Sequence, residues 1–339
     1  MTVRHRPMRP RDVRECVEIL AADPIAASRY GALIGQVRPI FLRLLARLAF
    51  RAVVFEDLAA QPTRLVGLGI SAFLVEAYVR KLKTAPLCWA GPDLVGRLVN
   101  GEDPILTDRQ LRDANAGNGL HNFVWHGCTR VEERARPEVN HCVISAFVER
   151  HRGFLLRELL AQAESMQTAQ MILNTGGLLW NPATHEYERA TDEIAPHLLS
   201  EPHVLGLTHE LALAQIGSWV GSLFIYERPQ FGFRPSEHRL LTAALEGGTD
   251  EDLARELTIS VSAVKKGWQV IYERIATVRP TLIPIDAGRT LTRERGKEKK
   301  QRLMAYLRDH PEELRPISRR ILERHGPRLG RAAVAAARR

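Results

Sequence analysis

The sequence lacks any apolar run of the roughly 18 residues that a membrane-spanning helix needs. Its most apolar early stretch, residues 41–55, is broken by three arginines and predicts an amphipathic helix that leads into a strand. The first residues after Met1 are Thr-Val-Arg-His-Arg and contain no apolar core of a secretory signal. We therefore expect a cytoplasmic protein without a membrane partner.

Cysteine is also scarce, with four residues in a chain of 339. Wide spacing and a long chain argue against a disulfide framework and predict reduced thiols. Zinc-ligand residue types do gather in one region: His121, His126, Cys128, His141 and Cys142. Their spacing matches no common zinc signature, and two adjacent residues on a predicted strand point to opposite faces. We expect core and loop residues here, and no metal site.

Basic charge is concentrated at the C-terminus. Residues 286–339 contain 16 basic and seven acidic residues, a balance of +9, which equals the balance of the whole chain. Residues 1–285 are therefore close to neutral. Such a block either binds phosphate or forms a solvated extension, and composition leaves both open. Helical periodicity within residues 302–322 favours some packing role.

Residues 1–230 show a mixed α/β pattern, and residues from 231 onward show a helical one. Helices are predicted over residues 12–22 and 153–163, and strands over residues 65–75, 143–148, 203–208 and 219–226. Loops with short helices are predicted over residues 97–120 and 180–200. Further helices are predicted over residues 235–246, 249–257, 261–275, 294–309 and 311–325.

The helix over residues 261–275 has two distinct faces. Its apolar residues recur with helical spacing and form one buried stripe: Val264, Trp268, Ile271 and Ile275. The opposite arc carries Ser262, Lys265, Lys266 and Gln269. Ser260 is placed to cap this helix, and Thr249 to cap the preceding one. Lysine and glutamine in such positions can bond guanine and adenine edges in a major groove.

Segments 233–241, 246–254, 259–266 and 271–275 together resemble the LuxR/GerE family of helix-turn-helix proteins. The resemblance covers about 43 of the 339 residues, and Gly267 stands where the family commonly has histidine. It implies a transcription regulator that binds double-stranded DNA, usually as a homodimer. By this resemblance Lys265, Lys266 and Gln269 read bases, while Thr249 and Ser262 touch phosphates.

The N-terminal part is similar, with less specific motifs, to the GNAT acetyltransferase superfamily. Residues 3–13 resemble that family's first strand and helix, and residues 65–75 its central strand. The resemblance implies an acetyl-CoA cradle within residues 143–163, with Arg150 and Gly153 as cofactor-binding residues. Leu155 stands where the family has a small residue and would crowd a pyrophosphate at a helix N-terminus.

These patterns predict an α/β, GNAT-like mixed sheet with helices over residues 1–230. They also predict an all-α LuxR-type helix-turn-helix domain over 231–284 and a basic helical extension over 285–339. The main functional hypothesis is a sequence-specific DNA-binding transcriptional regulator that is not an enzyme and has no catalytic residues or cofactor. Its N-terminal domain would receive a small-molecule signal or mediate dimerisation. The alternatives are an acyl-CoA-dependent N-acetyltransferase with an accessory nucleic-acid-binding region, and an interaction adaptor.

Overall fold

The computed structural model describes residues 2–190, 195–215, 218–245, 247–283, 293–318 and 320–321. It divides the chain into two compact units, Met1–Ile225 and Tyr226–Arg339. This division places the first boundary slightly before the predicted one and does not separate residues 285–339 as a third unit. Among the described residues, no helix combines the length and apolar character needed to cross a bilayer.

Unit 1 is built on one mixed sheet, which confirms the predicted α/β class. Its strands are β1 Val3–Pro7, β2 Phe50–Asp57, β3 Arg64–Leu74, β4 Leu120–Thr129, β5 Leu156–Ala161, β6 Leu178–Asn181, β7 Glu186–Glu188 and β8 Leu205–Thr208. They lie in the order β1-β2-β3-β4-β5-β8-β6-β7. Only the β4–β5 pair is parallel among these strands; each other neighbouring pair is antiparallel.

Helices cover both faces of this sheet. They are α1 Val13–Ala22, α2 Pro24–Tyr30, α3 Ile34–Leu44, α4 Glu76–Leu82, α5 Ala90–Val99, α6 Asp108–Ala116, α7 Pro137–His151, α8 Met166–Asn174 and α9 His209–Leu213. Buried residues of α1, α3 and α5 share the largest hydrophobic core with one face. Helix α7 packs on β1–β3 through a smaller cluster on the other face, which includes Val53, Phe55, Val139, Cys142 and Ala146.

Two predicted elements of unit 1 are wrong. Residues 143–148 lie within α7 rather than in a strand, because the buried stripe is formed by Val139, Cys142 and Ala146 at helical spacing. Residues 156–161 form β5 rather than part of a helix, because their backbone pairs with β4 and β8. Here a helix stands where a strand was predicted, and a strand stands where a helix was predicted. The predicted cofactor residues therefore do not lie at the start of a helix.

Smaller differences concern the end of unit 1. The predicted strand over residues 219–226 is replaced by a short 3-10 turn, Gly221–Leu223. The region 180–200, predicted as loop, contributes the β6–β7 hairpin. The predicted strands over residues 65–75 and 203–208 correspond to β3 and β8.

Unit 2 contains helices and no strand among its described residues. The helices are α10 Pro235–Leu245, α11 Asp250–Leu257, α12 Val261–Val278 and α13 Arg293–Asp309. One hydrophobic core joins all four, and α13 contributes Leu303, Met304, Tyr306 and Leu307 to it. The helix of the basic region is therefore part of the unit. In the region predicted as a helix over 311–325, Pro311–Leu314 form a 3-10 turn and Arg320 and Ile321 are helical, while residues 319 and 322–325 lie outside the described residues.

Helix α12 crosses α10 closely at Gly267. A Cβ atom added to Gly267 would meet Cδ2 of Leu240 at 2.7 Å. Glycine within a helix costs about 1 kcal/mol relative to alanine. A side chain at position 267 would therefore require the end of the Leu240 side chain to move.

Candidate functional site

Strands β4 and β5 are paired over only part of their length. The parallel register runs from Leu120 opposite Leu156 to Val124 opposite Ala161, whereas β4 continues to Thr129. In the described part of the chain, the second half of β4 therefore has a strand on its β3 side alone. A cavity of about 350 Å³ lies here, lined by β4, β3, α7 and α8. We call it the β4 cavity.

A chain of hydrogen bonds in the cavity wall centres on His126. Trp125 Nε1 donates to the hydroxyl oxygen of Tyr30 at 2.8 Å, and that oxygen lies 2.7 Å from His126 Nε2. The other ring nitrogen, Nδ1, bonds a carboxylate oxygen of Glu164. A carboxylate only accepts, so Nδ1 carries the ring proton towards Glu164, and Nε2 of the neutral imidazole accepts the proton of the Tyr30 hydroxyl.

Local irregularity of β4 brings these groups together. The β3–β4 register shifts so that Val124 and His126, but not Trp125, have partners on β3. Such a bulge re-aims neighbouring side chains, and it allows both Trp125 and His126 to reach Tyr30. The second oxygen of Glu164 accepts from the backbone N–H of Gly127 at 2.9 Å, which fixes this carboxylate at the open edge of β4. Burial raises the pKa of Tyr30 well above its ordinary value.

A second histidine lies in the wall on the α7 side. His151 Nε2 is 2.5 Å from Ser71 Oγ, and its Nδ1 is 2.7 Å from the carbonyl oxygen of Phe147. A carbonyl only accepts, so Nδ1 carries the proton, and Nε2 of the neutral ring accepts from the serine hydroxyl. Ser71 and His151 are both buried.

The predicted cofactor residues do not form the expected cradle. Arg150 belongs to the last turn of α7, and Gly153, with φ of +85°, lies in the turn that leads to β5. The end of a helix presents carbonyl oxygens and the negative end of its dipole, which repel a pyrophosphate. The physical basis of the prediction at Gly153 is therefore absent, although Arg150 does line the β4 cavity.

The N-terminus of α7, which follows β4, does not fit the diphosphate of coenzyme A either. The helix opens with Pro137, which has no N–H to offer. Arg136, at the cap position, already bonds the carboxylates of Asp57 and Glu133. A diphosphate at this place would meet two carboxylates that are paired with the nearest guanidinium. Among the described residues of unit 1, neither end of α7 offers a site for the diphosphate of coenzyme A.

The histidine and cysteine residues between 121 and 142 do not converge. His121 bonds Glu158 at 2.9 Å, while His126 bonds Tyr30 and Glu164. His141 and Cys142 lie on α7 and not on a strand, the first exposed and the second buried. Within the described residues, one group of three could share an ion, and it lies in unit 2: Glu227, His310 and Glu312.

The helix pair α11–α12 has the caps that its sequence predicts. Thr249 and Asp252 form a reciprocal capping box at the start of α11. Thr258 ends α11 in the left-handed conformation, with φ of +56°. Ser260 then caps α12 by accepting from the N–H of Ala263 at 3.1 Å. These local bonds fix the turn between the two helices.

Helix α12 presents the predicted side chains outward. Its buried stripe consists of Val264, Trp268, Ile271 and Ile275. Its exposed residues include Ser262, Lys265, Lys266 and Gln269. Gln269 Nε2 donates to Glu273 at 2.9 Å, also on the exposed face. Neither lysine pairs with a carboxylate of another described residue.

Comparisons with known proteins find one distant likeness. No family model matches the chain, and no curated protein matches it. A similar solved structure is described as histone acetyltransferase HPA2 and related acetyltransferase from Corynebacterium glutamicum. It is 13% identical, with a TM-score of 0.34, and the match covers 61% of this chain and 95% of that one. This likeness is too distant to define a family.

The prediction that the chain is not an enzyme is contradicted by this comparison, because the similar structure is an enzyme. We therefore withdraw it. Of the five residues that form the hydrogen bonds in the wall of the β4 cavity, sequence reasoning singled out His126 alone, as a zinc-ligand residue type, and did not place it beside the others. Tyr30, Ser71, His126, His151 and Glu164 come from five separate elements or loops and share no spacing motif.

Proposed function

We propose that unit 1 is an acyltransferase that moves an acyl group from a thioester to an amine in the β4 cavity. The observation that carries this proposal is the hydrogen-bonded chain of Tyr30, His126 and Glu164 at the open edge of β4. An amine that attacks a thioester must lose a proton, and a side chain poised to take it accelerates the reaction about 10²–10⁴-fold.

The chain of hydrogen bonds provides a route for that proton. Tyr30 takes a proton from the attacking nitrogen and passes its own proton to Nε2 of His126. Glu164 then stabilises the imidazolium through Nδ1, as the carboxylate of a catalytic triad does. The C–N bond forms, the C–S bond breaks, and the departing thiolate takes up the proton that His126 received, which restores the neutral imidazole. The residues named here bind and move protons, and no step depends on a coenzyme A diphosphate.

The test is thiol release by the full chain from acetyl-N-acetylcysteamine and from acetyl-CoA, with spermidine and a lysine-containing peptide as amines. We expect His126→Gln and Tyr30→Phe to lower kcat about 10²–10⁴-fold. His121→Gln, which lies outside the cavity, is the matched control and keeps wild-type activity. Absence of thiol release with both donors sinks the proposal. Activity that requires acetyl-CoA contradicts the assignment of no diphosphate site.

A second candidate function, sequence-specific DNA binding by unit 2, rests on the exposed face of α12. Two lysines and a glutamine stand opposite a fully packed stripe, on a helix whose start is fixed by Ser260. This arrangement suits a helix that enters a major groove. If the chain also dimerises, as the family resemblance implies, the selected DNA sites are inverted repeats.

Selection of bound sequences from a random DNA pool at stated salt tests this function. Lys265→Ala and Lys266→Ala should each weaken the selected site by about 1–3 kcal/mol if they read bases. Arg302→Ala, an exposed cation on α13, is the charge-matched control. A pool that shows no enriched sequence favours the adaptor alternative instead.

A further inference from the structure

Arg51 differs from the other arginines that line the β4 cavity. Arg29 donates to the carbonyl oxygens of Ala163 and Leu199, and Arg134 forms an ion pair with Asp23. Arg51, on β2, donates no hydrogen bond to any described residue and pairs with none of their carboxylates. Its guanidinium carbon lies over the ring of Phe154, but at a distance of 5.6 Å from the ring centre. A cation so placed lacks a counter-charge.

The surroundings of Arg51 make the absence of a paired carboxylate energetically unfavourable. The side chain is only partly accessible, and the charged group that acts on it is another cation, Arg150, which also lines the cavity. Burial, and then repulsion by Arg150, lower the pKa of Arg51 to about 10. Buried charges in proteins are usually paired, so an unpaired one beside a cavity marks a place for an anion. Ser71 lies directly opposite Arg51 in the β2–β3 register.

Most of the other residues on the α7 side of the cavity are apolar, although Asn140 also lines it. Its wall includes Val53, Phe55, Val143, Phe147, Trp219 and Val220. The cavity volume of about 350 Å³ falls in the range of roughly 300–1,000 Å³ that is typical of small-molecule sites. Arg51 and Arg150 therefore offer positive charge beside a largely hydrocarbon wall, while the carboxylates of Asp23 and Glu164 line other parts of the cavity.

We propose that the β4 cavity binds an amphipathic organic anion, whose carboxylate or phosphate group pairs with Arg51 and whose hydrocarbon part lies on this apolar wall. The bound anion offsets both the burial of Arg51 and its repulsion by Arg150. This site is independent of acyl transfer, because it requires binding and no reaction. An anion that binds without any thioester turnover supports this inference and leaves the transferase proposal unsupported.

Calorimetric titration of the full chain with three ten-carbon probes tests the site: decanoate and decyl phosphate, each below its micelle concentration, and decanol below its solubility limit. We expect decanoate or decyl phosphate to bind at least tenfold more tightly than decanol, and the preference between the two identifies the anionic group. Arg51→Gln should weaken the anions by roughly tenfold to a hundredfold and leave decanol unchanged. Arg109→Gln, an exposed arginine on α6 outside the cavity, should change nothing.

A second variant keeps the test valid should Arg51→Gln fold poorly. Val143 of α7 lies on the apolar wall, and Val143→Phe fills part of the cavity while both cations remain. It should weaken all three probes by a similar factor. The inference is overturned by equal binding of decanol and the anions, by anion binding that neither variant changes, or by no binding of either anion.

Discussion

The buried carboxyl group of Glu313 should make the stability of unit 2 depend on pH. Its carboxylate accepts from the backbone N–H groups of Gln230 at 2.8 Å and Phe231 at 3.1 Å, and it is 2% exposed. Burial raises the pKa of Glu313 from 4.5 to about 7, because it outweighs these two bonds. Glu312 adds to the rise and His310 opposes it.

The sign of the effect follows from the direction of this shift. A carboxyl group whose pKa is higher in the folded state binds its proton more tightly there than in the unfolded chain. The associated stability is fully present below about pH 4.5 and is lost as pH rises through about 7. A shift of about 2.5 units, at about 1.4 kcal/mol each, corresponds to a loss of about 3 kcal/mol.

Hydrogen exchange of the full chain at pH 5 and pH 8, corrected for intrinsic rates, measures this loss in peptides from residues 227–245 and 261–278. We expect weaker protection at pH 8 for the wild type and much less pH dependence for Glu313→Gln. Glu256→Gln, an exposed carboxylate on α11, should behave as the wild type. Equal protection of the wild type at both pH values, or an unchanged dependence in Glu313→Gln, would refute the reasoning.

Three further substitutions test the packing and polar contacts by chemical denaturation of the full chain. Ile271→Ala, at a fully buried position, should lower the free energy of unfolding of unit 2 by about 2–5 kcal/mol, and a loss below 1 kcal/mol would contradict the core assignment. Thr249→Ala should cost about 1 kcal/mol through loss of the α11 cap; no change would show that the capping box is not formed. Lys83→Met leaves Glu158 buried without its cation and should cost about 3–5 kcal/mol, and adding Glu158→Gln should recover part of it. A double variant no more stable than Lys83→Met would refute the ion-pair argument.

Unit 2 was predictable from sequence because its signals are local. The caps at Thr249 and Ser260 bond residues two or three positions away, and the stripe from Val264 to Ile275 repeats within one helix. Neither signal needs a distant partner. The bounds of α10, α11 and α12 therefore agree with the predicted helices to within three residues.

The middle of unit 1 was not predictable in the same way. Val143 and Ile144 are β-branched and favour a strand, yet they lie in α7, where they are only partly buried. Leu156–Ala161 contains the charged residues Arg157 and Glu158, yet it forms β5 between two other strands. Contacts with distant parts of the chain determine whether each segment is a helix or a strand, and the local sequence pattern does not reveal those contacts.

The residues of the candidate site were even harder to predict from the sequence, because they are far apart along the chain. His126 and Glu164 are 38 positions apart, and Ser71 and His151 are 80 apart. The bulge that turns His126 towards Tyr30 depends on the β3–β4 register. The predicted residues Arg150 and Gly153 rested on a helix start that the fold places elsewhere, at Pro137.

The missing side chain at Gly267 has a consequence for how unit 2 meets a partner. Lys265 and Lys266 directly precede Gly267 on the same helix. The distance between α12 and Leu240 of α10 therefore affects where both ammonium groups lie. A methyl group at position 267 requires either that Cδ2 of Leu240 moves or that α12 shifts away from α10, and a shift of α12 would move its exposed side chains with it. The fit between α10 and α12 on the buried side is in this way linked to the position of the lysines on the exposed side.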